Sequence, residues 1–106
     1  DTQPQGQVQQ FIGVVEFGLS AQEAVSRPRF ITRAFPAGQW PFQADNDLAM
    51  EAGTPDWLRN AMEDRGHVVV SGGIWGDAQM IVIYPATGRM ETGTDPRGGV
   101  GKGTVR

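Results

Sequence analysis

Seven apolar residues between positions 8 and 19 set the first constraint on this chain. Val8, Phe11, Ile12, Val15 and Leu19 recur at the i, i+3, i+4, i+7 spacing of one helical face. Val14 and Phe17 widen the stripe beyond what a surface helix carries. The pattern therefore predicts a helix over 7–19 that is buried on more than one side. Gly13 within it costs about 1 kcal/mol against alanine; it is either tolerated or marks a close approach by another backbone. A helix this apolar needs other layers around it. At 106 residues the chain has the size of one domain, or of one piece of a larger one, and residues 1–106 are read as a single such piece.

Beyond this helix, short helices alternate with short strands. Gly18 predicts the end of the first helix. Ser20-Ala21-Gln22-Glu23 has the form of a capping box, the serine oxygen accepting from the third helical residue and Glu23 reaching back. Pro28 keeps the second helix short, and Phe30 to Arg33 reads as a strand. Residues 34–46 form a loop, with Phe35, Trp40 and Phe42 pinning it to a surface. Asp47 to Glu51 alternates as a half-buried strand, Leu48 and Met50 on one face. Thr54-Pro55-Asp56 opens a helix with Thr54 as N-cap. Leu58, Ala61 and Met62 face inward there, and Arg59, Glu63 and Asp64 face outward. His67 to Ser71 is a strand by β-branched content. Gly72-Gly73 is a turn, and residues 74–77 are a second loop. Ala78 to Tyr84 is apolar enough for a central strand, and Arg89 to Thr92 returns as its hairpin partner. The glycine-rich end after Thr94 reads as a tail along the surface. The order is α+β: a helix pair, then a mostly antiparallel sheet with one further helix.

Composition removes whole classes of function. Nine basic against twelve acidic residues give a net charge of -3, which argues against a nucleic-acid binder held by phosphates. With no cysteine there are no disulfides, thiolate zinc sites or cysteine nucleophiles. No apolar run approaches the ~20 residues of a membrane span, and no signal peptide is expected.

The candidate chemical groups do not combine. Gly101-Lys102 is followed by Gly103, and Pro96 stands where a phosphate loop needs glycine. His67 is the only histidine and sits at a strand start. Ser20, Ser26 and Ser71 lack a nucleophile elbow. Thr2 carries no free α-amine because Asp1 precedes it, and it is expected to cap the first helix. Glu51, Asp56, Glu63, Asp64, Asp77, Glu91 and Asp95 show neither paired-carboxylate nor metal spacing. In Asp95-Pro96-Arg97 a proline fixes the backbone between opposite charges. A structural lock is expected there, with Asp95 turning the chain and Arg97 pairing or bonding to carbonyls. No catalytic, cofactor-binding or metal-binding residue is assigned.

Several pieces form an ordered series. Gln7-Val8-Gln9-Gln10 leads to Phe17-Gly18-Leu19; Gln22-Glu23-Ala24-Val25 precedes Pro28-Arg29-Phe30. Met50-Glu51-Ala52-Gly53-Thr54-Pro55, the Leu58 helix and Gly66-His67-Val68-Val69 come next. Gln79-Met80-Ile81, Gly88 and Asp95-Pro96-Arg97 close the series. This series resembles the C-terminal part of the small subunit of gamma-glutamyltranspeptidase. The resemblance implies an N-terminal-nucleophile hydrolase with an αββα core, of which this chain is part. In that family the precursor cleaves itself, and a new N-terminal threonine attacks γ-glutamyl amides such as glutathione, passing the acyl group to water or an amine. It implies that the nucleophile and glutamate-binding residues lie outside this chain, and that the start of the first helix, Asp1 to Gln7, points toward an oxyanion site. Cephalosporin acylases and poly-γ-glutamate depolymerases share the scaffold, and a noncatalytic assembly module is the reading from another class. The expected partner is the rest of the same precursor, with self-association if the chain is isolated. A periplasmic or secreted location is implied by the family alone.

Overall fold

A computed structural model describes residues 3–32, 47–73 and 76–98. The expected cap at Thr2, the loop aromatics Phe35, Trp40 and Phe42, the Ile74-Trp75 segment and the tail beyond Gly98 lie outside these residues. Among the described residues three helices and five strands run in the order α1 (Gln3–Val15), α2 (Ala21–Ser26), β1 (Phe30–Thr32), β2 (Asp47–Met50), α3 (Asp56–Glu63), β3 (Val68–Ser71), β4 (Gln79–Tyr84) and β5 (Arg89–Thr94). The α+β class is the one expected. The chain groups into two compact units: residues 1–6 with 28–75, and residues 7–27 with 76–106.

In the first unit the sheet order is β1-β2-β3. β1 runs antiparallel to β2, but β2 and β3 are parallel. The parallel pair is the exception in a mostly antiparallel set of pairings and has a simple cause. α3 carries the chain back to the end of the sheet where β2 began, so β3 must run in the same direction. β2 is the central strand, and Leu48, Ala49 and Met50 are all buried, so the expected two-faced alternation is absent. Thr54 is not the N-cap of α3. Pro55 occupies that position without a side-chain cap, and the Thr54 hydroxyl donates to the Glu51 carbonyl at 2.8 Å.

The second unit holds most of α1, all of α2 and the β4–β5 hairpin. α2 has the predicted capping box: the Ser20 oxygen accepts from Glu23 N–H, and the Glu23 carboxylate accepts from Ser20 N–H at 2.8 Å. It lies on the hairpin, with Ala21, Ala24 and Val25 buried. β4 pairs β5 from Gln79↔Thr94 to Tyr84↔Arg89. Among the described residues β5 is its one strand neighbour. Among the described strands β4 has no central place, and Ile81 and Ile83 are about two-thirds exposed.

The largest correction concerns α1. It starts at Gln3 and ends at Val15, where Gly18 takes φ +64° and Leu19 N–H closes back onto the Gly13 carbonyl at 3.0 Å. Its buried residues are Gln10 and Gly13; Val8, Phe11, Ile12 and Val15 are exposed. At about 100° per residue, those four lie on one face and Gln10 and Gly13 on the opposite one. The polar, small-residue face is turned to the chain and the apolar stripe to the outside. Gly13 is small because Leu19 and Ala24 pack there: a Cβ would stand 3.2 Å from Leu19 Cδ1 and 3.7 Å from Ala24 Cβ.

β5 meets α2 at Gly93, where an added Cβ would land on the Ala21 carbonyl. That neighbour is backbone and cannot rotate aside. Gly93→Ala should cost about 1–3 kcal/mol, the range of overpacked sites, read as a lower denaturant midpoint in chemical unfolding. An unchanged midpoint would mean that α2 and β5 separate easily.

Candidate functional site

The two most distinctive tripeptides, Pro28-Arg29-Phe30 and Asp95-Pro96-Arg97, each build a closed ionic lock. In the first, Arg29 N–H donates to Glu51 Oε2 at 2.8 Å, and Arg29 Nη2 donates to Glu51 Oε1 at 2.8 Å. Both side chains are almost wholly removed from water. The backbones join as well, Glu51 N–H donating to the Arg29 carbonyl at 3.0 Å. The Glu51 carbonyl then accepts from Arg59 Nη2 at 2.7 Å and from the Thr54 hydroxyl. Arg59 thus folds back over the end of β2, instead of facing outward as helical spacing suggests. A Cβ added at Gly53 would stand 3.4 Å from Pro28 Cγ. The Pro-Arg-Phe segment and the Met50-to-Pro55 segment are two halves of one joint.

In the second lock the Asp95 side chain is completely buried. Its Oδ1 accepts from Arg97 Nε at 2.7 Å and from Arg97 N–H at 2.9 Å, and its Oδ2 accepts from Arg97 Nη2 at 3.1 Å. The same guanidinium donates onward to the Val25 carbonyl at 2.7 Å and the Arg27 carbonyl at 3.1 Å. These carbonyls belong to the C-terminal end of α2, where helical acceptors lack partners and a cation is favoured. The lock expected from the sequence is present in both its parts. Asp95 is nevertheless interior, so the chain at this point is not a surface tail.

Around α2 the remaining polar groups are also committed. Ser20 belongs to the capping box, and the Ser26 hydroxyl donates to the Gln22 carbonyl at 2.7 Å. Glu91 accepts from Arg89 and from Ala21 N–H at 3.3 Å. The Arg89 guanidinium, and then the Ala21 N–H, hold the Glu91 carboxyl below its ordinary pKa. The Ser20 backbone and hydroxyl do the same for Glu23. His67 is exposed ahead of β3. Among the described residues no group of three or more His, Cys, Asp or Glu could hold a metal ion. Among the acids that sequence reasoning left without a role is Glu51. Its signal was the arginine 22 positions upstream, legible only as a pairing of two motifs.

The sequence matches one family over residues 1–104, described as gamma-glutamyltranspeptidase. The chain belongs to the gamma-glutamyltranspeptidase family. Among curated proteins none matches it. Among solved structures it is similar to a cephalosporin acylase from Bacillus halodurans, with TM-score 0.71 and 30% identity over 89% of this chain and 16% of that one. It is also similar to an acivicin-inhibited gamma-glutamyltranspeptidase described as showing critical roles for its C-terminus in autoprocessing and catalysis. There the TM-score is 0.71 and the identity 27%, over 91% of this chain and 48% of that one. A Helicobacter pylori gamma-glutamyltranspeptidase mutant gives TM-score 0.70 and 28% identity, over 89% of this chain and 47% of that one. The chain thus spans less than half the length of each of these structures. Within it, the gamma-glutamyltranspeptidase motifs close joints between elements of this chain.

The two kinds of ion pair lead to separate expectations. Arg97→Ala strands the Asp95 carboxylate away from water and should cost about 3–5 kcal/mol, read as a lower unfolding midpoint, with Arg97→Lys recovering only part because it lacks the planar fork. The depressed Glu91 pKa sets a pH dependence. Stability from Glu91 is complete above the unfolded value, about 4.3, and is lost as pH falls through the lower folded value. Thermal midpoints of wild type and Glu91→Gln should differ near neutral pH and converge once the pH has fallen through the lowered folded pKa. A gap that persists in acid would remove the ionic explanation.

Proposed function

We propose that this chain is the C-terminal segment of a γ-glutamyl transferase or hydrolase acting on glutathione-like γ-glutamyl amides, and that it is catalytically incomplete alone. The family match over residues 1–104 carries the reading. Its support within the structure is that Glu51 and Asp95 are held in ionic locks, Ser20 in a capping box and Ser26 on the Gln22 carbonyl of its own helix. Groups so engaged are poorly placed to act as acid, base or nucleophile. The chemistry would come from elsewhere in the polypeptide, through an autoprocessed N-terminal threonine, and this segment would brace the scaffold behind it. The N-terminal end of α1 would contribute its dipole toward the developing oxyanion. A periplasmic or secreted setting belongs to the same reading and rests on the family.

A chromogenic γ-glutamyl anilide tests this directly. The full-length protein should release the aniline, and residues 1–106 alone should not. Turnover by the purified segment that survives repurification would overturn catalytic incompleteness. The likeness to the Bacillus halodurans cephalosporin acylase makes a second amide worth assaying, and a full-length protein that cleaves only a cephalosporin side-chain amide would move the substrate to that class. In the full-length protein, Arg97→Ala should reduce the yield of self-cleaved enzyme more than the rate of the matured fraction. A normally processed, stable variant with a collapsed rate would instead place Arg97 in catalysis.

A further inference from the structure

Two glutamine side chains take the place of neighbouring strands in this chain. At the β1–β2 pair, Glu51 N–H donates to the Arg29 carbonyl. Alternation along an antiparallel ladder then turns the N–H and C=O of Thr32 away from β2. Gln5 meets both: Thr32 N–H donates to Gln5 Oε1 at 2.9 Å, and Gln5 Nε2 donates to the Thr32 carbonyl at 3.1 Å. At the β4–β5 pair, Asp95 N–H donates to the Ala78 carbonyl at 2.9 Å, and the same alternation turns Thr94 outward. Gln22 meets it in the same manner, Thr94 N–H donating to Oε1 at 3.1 Å and Nε2 donating to the Thr94 carbonyl at 2.9 Å. Each glutamine amide presents one donor and one acceptor, as a neighbouring strand would. Covered edges of this kind do not recruit other strands.

The two bridges differ in what they hold. Gln22 joins the hairpin to α2, which its capping box and Arg97 already fix at both ends. Gln5 joins β1 to the first turn of α1. That turn has a second rest. A Cβ added at Gly6 would stand 3.8 Å from Arg29 Cδ, and Arg29 is clamped to Glu51 through both backbone and side chain. Residues 1–6 accordingly group with 28–75, while residues 7–15 of the same helix group with 76–106. Burial alone would be served by an apolar side chain at position 5. A planar amide bonded through both its oxygen and its nitrogen to one residue fixes distance and orientation together. Such a tie suits a helix start whose placement must be held within about half an ångström.

We propose that Gln5 is a positioning residue for acyl transfer in the full-length enzyme. Its bridge to Thr32 sets where the start of α1 stands, and with it the dipole directed at the developing oxyanion. This rests on the reading of the chain as part of a γ-glutamyl transferase or hydrolase. Gln5 acts through the helix and not on the substrate. Charge at the oxyanion develops only in the transition state, so a misplaced helix start slows the chemical step without weakening substrate binding. The loss therefore falls on kcat and spares KM. Gln22, the same side chain in the same kind of bridge, holds no such helix start and serves as the internal control.

Gln5→Met keeps the length of the side chain and removes both bonds to Thr32; Gln22→Met makes the same change at Thr94. Both are made in the full-length protein. For each, kcat and KM on a chromogenic γ-glutamyl anilide are measured on the self-cleaved fraction, well below its thermal midpoint. Gln5→Met should lower kcat about ten- to a hundredfold, with KM within about twofold of wild type. Gln22→Met should lower the thermal midpoint and leave kcat unchanged. Should Gln5→Met yield too little mature enzyme, Gln5→Glu, which still accepts from Thr32 N–H, is compared with Gln22→Glu in the same way. An unchanged kcat at position 5, an equal fall at both positions, or a change confined to KM overturns the proposal and leaves the substrate reading intact. A wild type that turns over neither the anilide nor a cephalosporin side-chain amide removes that reading, and the positioning role with it.

Discussion

Asp95 is a charge that the fold has taken out of water, and Arg97 makes that tolerable. An isolated carboxylate in such a place would cost several kcal/mol, and a carboxylate with a two-point guanidinium partner does not. Arg97 extends the same hydrogen-bond network to the carbonyls that end α2. One side chain therefore ties the close of the hairpin to the close of a helix some seventy residues earlier. α2 is only six residues long, too short to hold itself together in water. It depends on its capping box at one end, Arg97 at the other and the Gly93 contact between them. The first unit uses the same device, Arg29 and Glu51 joining the start of β1 to the end of β2. In both units the binding is between the ends of elements, which suits a segment whose apolar interior is small.

The local features were readable because local chemistry dictates them. The capping box, the proline that stops α2, the hairpin turn and the Asp-Pro-Arg lock are each set by residues within a few positions of one another. What could not be read depends on distant partners. The parallel pairing of β3 with β2 results from where α3 lands. Glu51 had no meaning until Arg29 stood beside it. Thr54 resembles an N-cap in every local respect, yet its hydroxyl donates to the Glu51 carbonyl. Arg59 sits at an outward helical position but is long enough to return to the same carbonyl.

α1 shows most clearly where pattern and structure part. Periodicity located the apolar face correctly; burial within the chain did not accompany it. The stripe of Val8, Phe11, Ile12 and Val15 is aimed away from the residues that hold the helix in place, which are Gln10, Gly13 and, through its amide, Gln5. Helical periodicity reports that a face will be buried and not by what.

The glutamines at the strand edges carry a chemical consequence of their own. A primary amide offers a donor and an acceptor on one rigid plane, as a peptide bond does. Hydrolysis of that amide to glutamate, a slow event of protein ageing, changes few atoms at Gln22. The product still accepts from Thr94 N–H but sets a carboxylate oxygen against the Thr94 carbonyl, where a donor had been. Attraction at one of the two contacts becomes repulsion, and the guarded edge of β5 begins to open. The integrity of that edge is thus tied to the chemical lifetime of a single carboxamide.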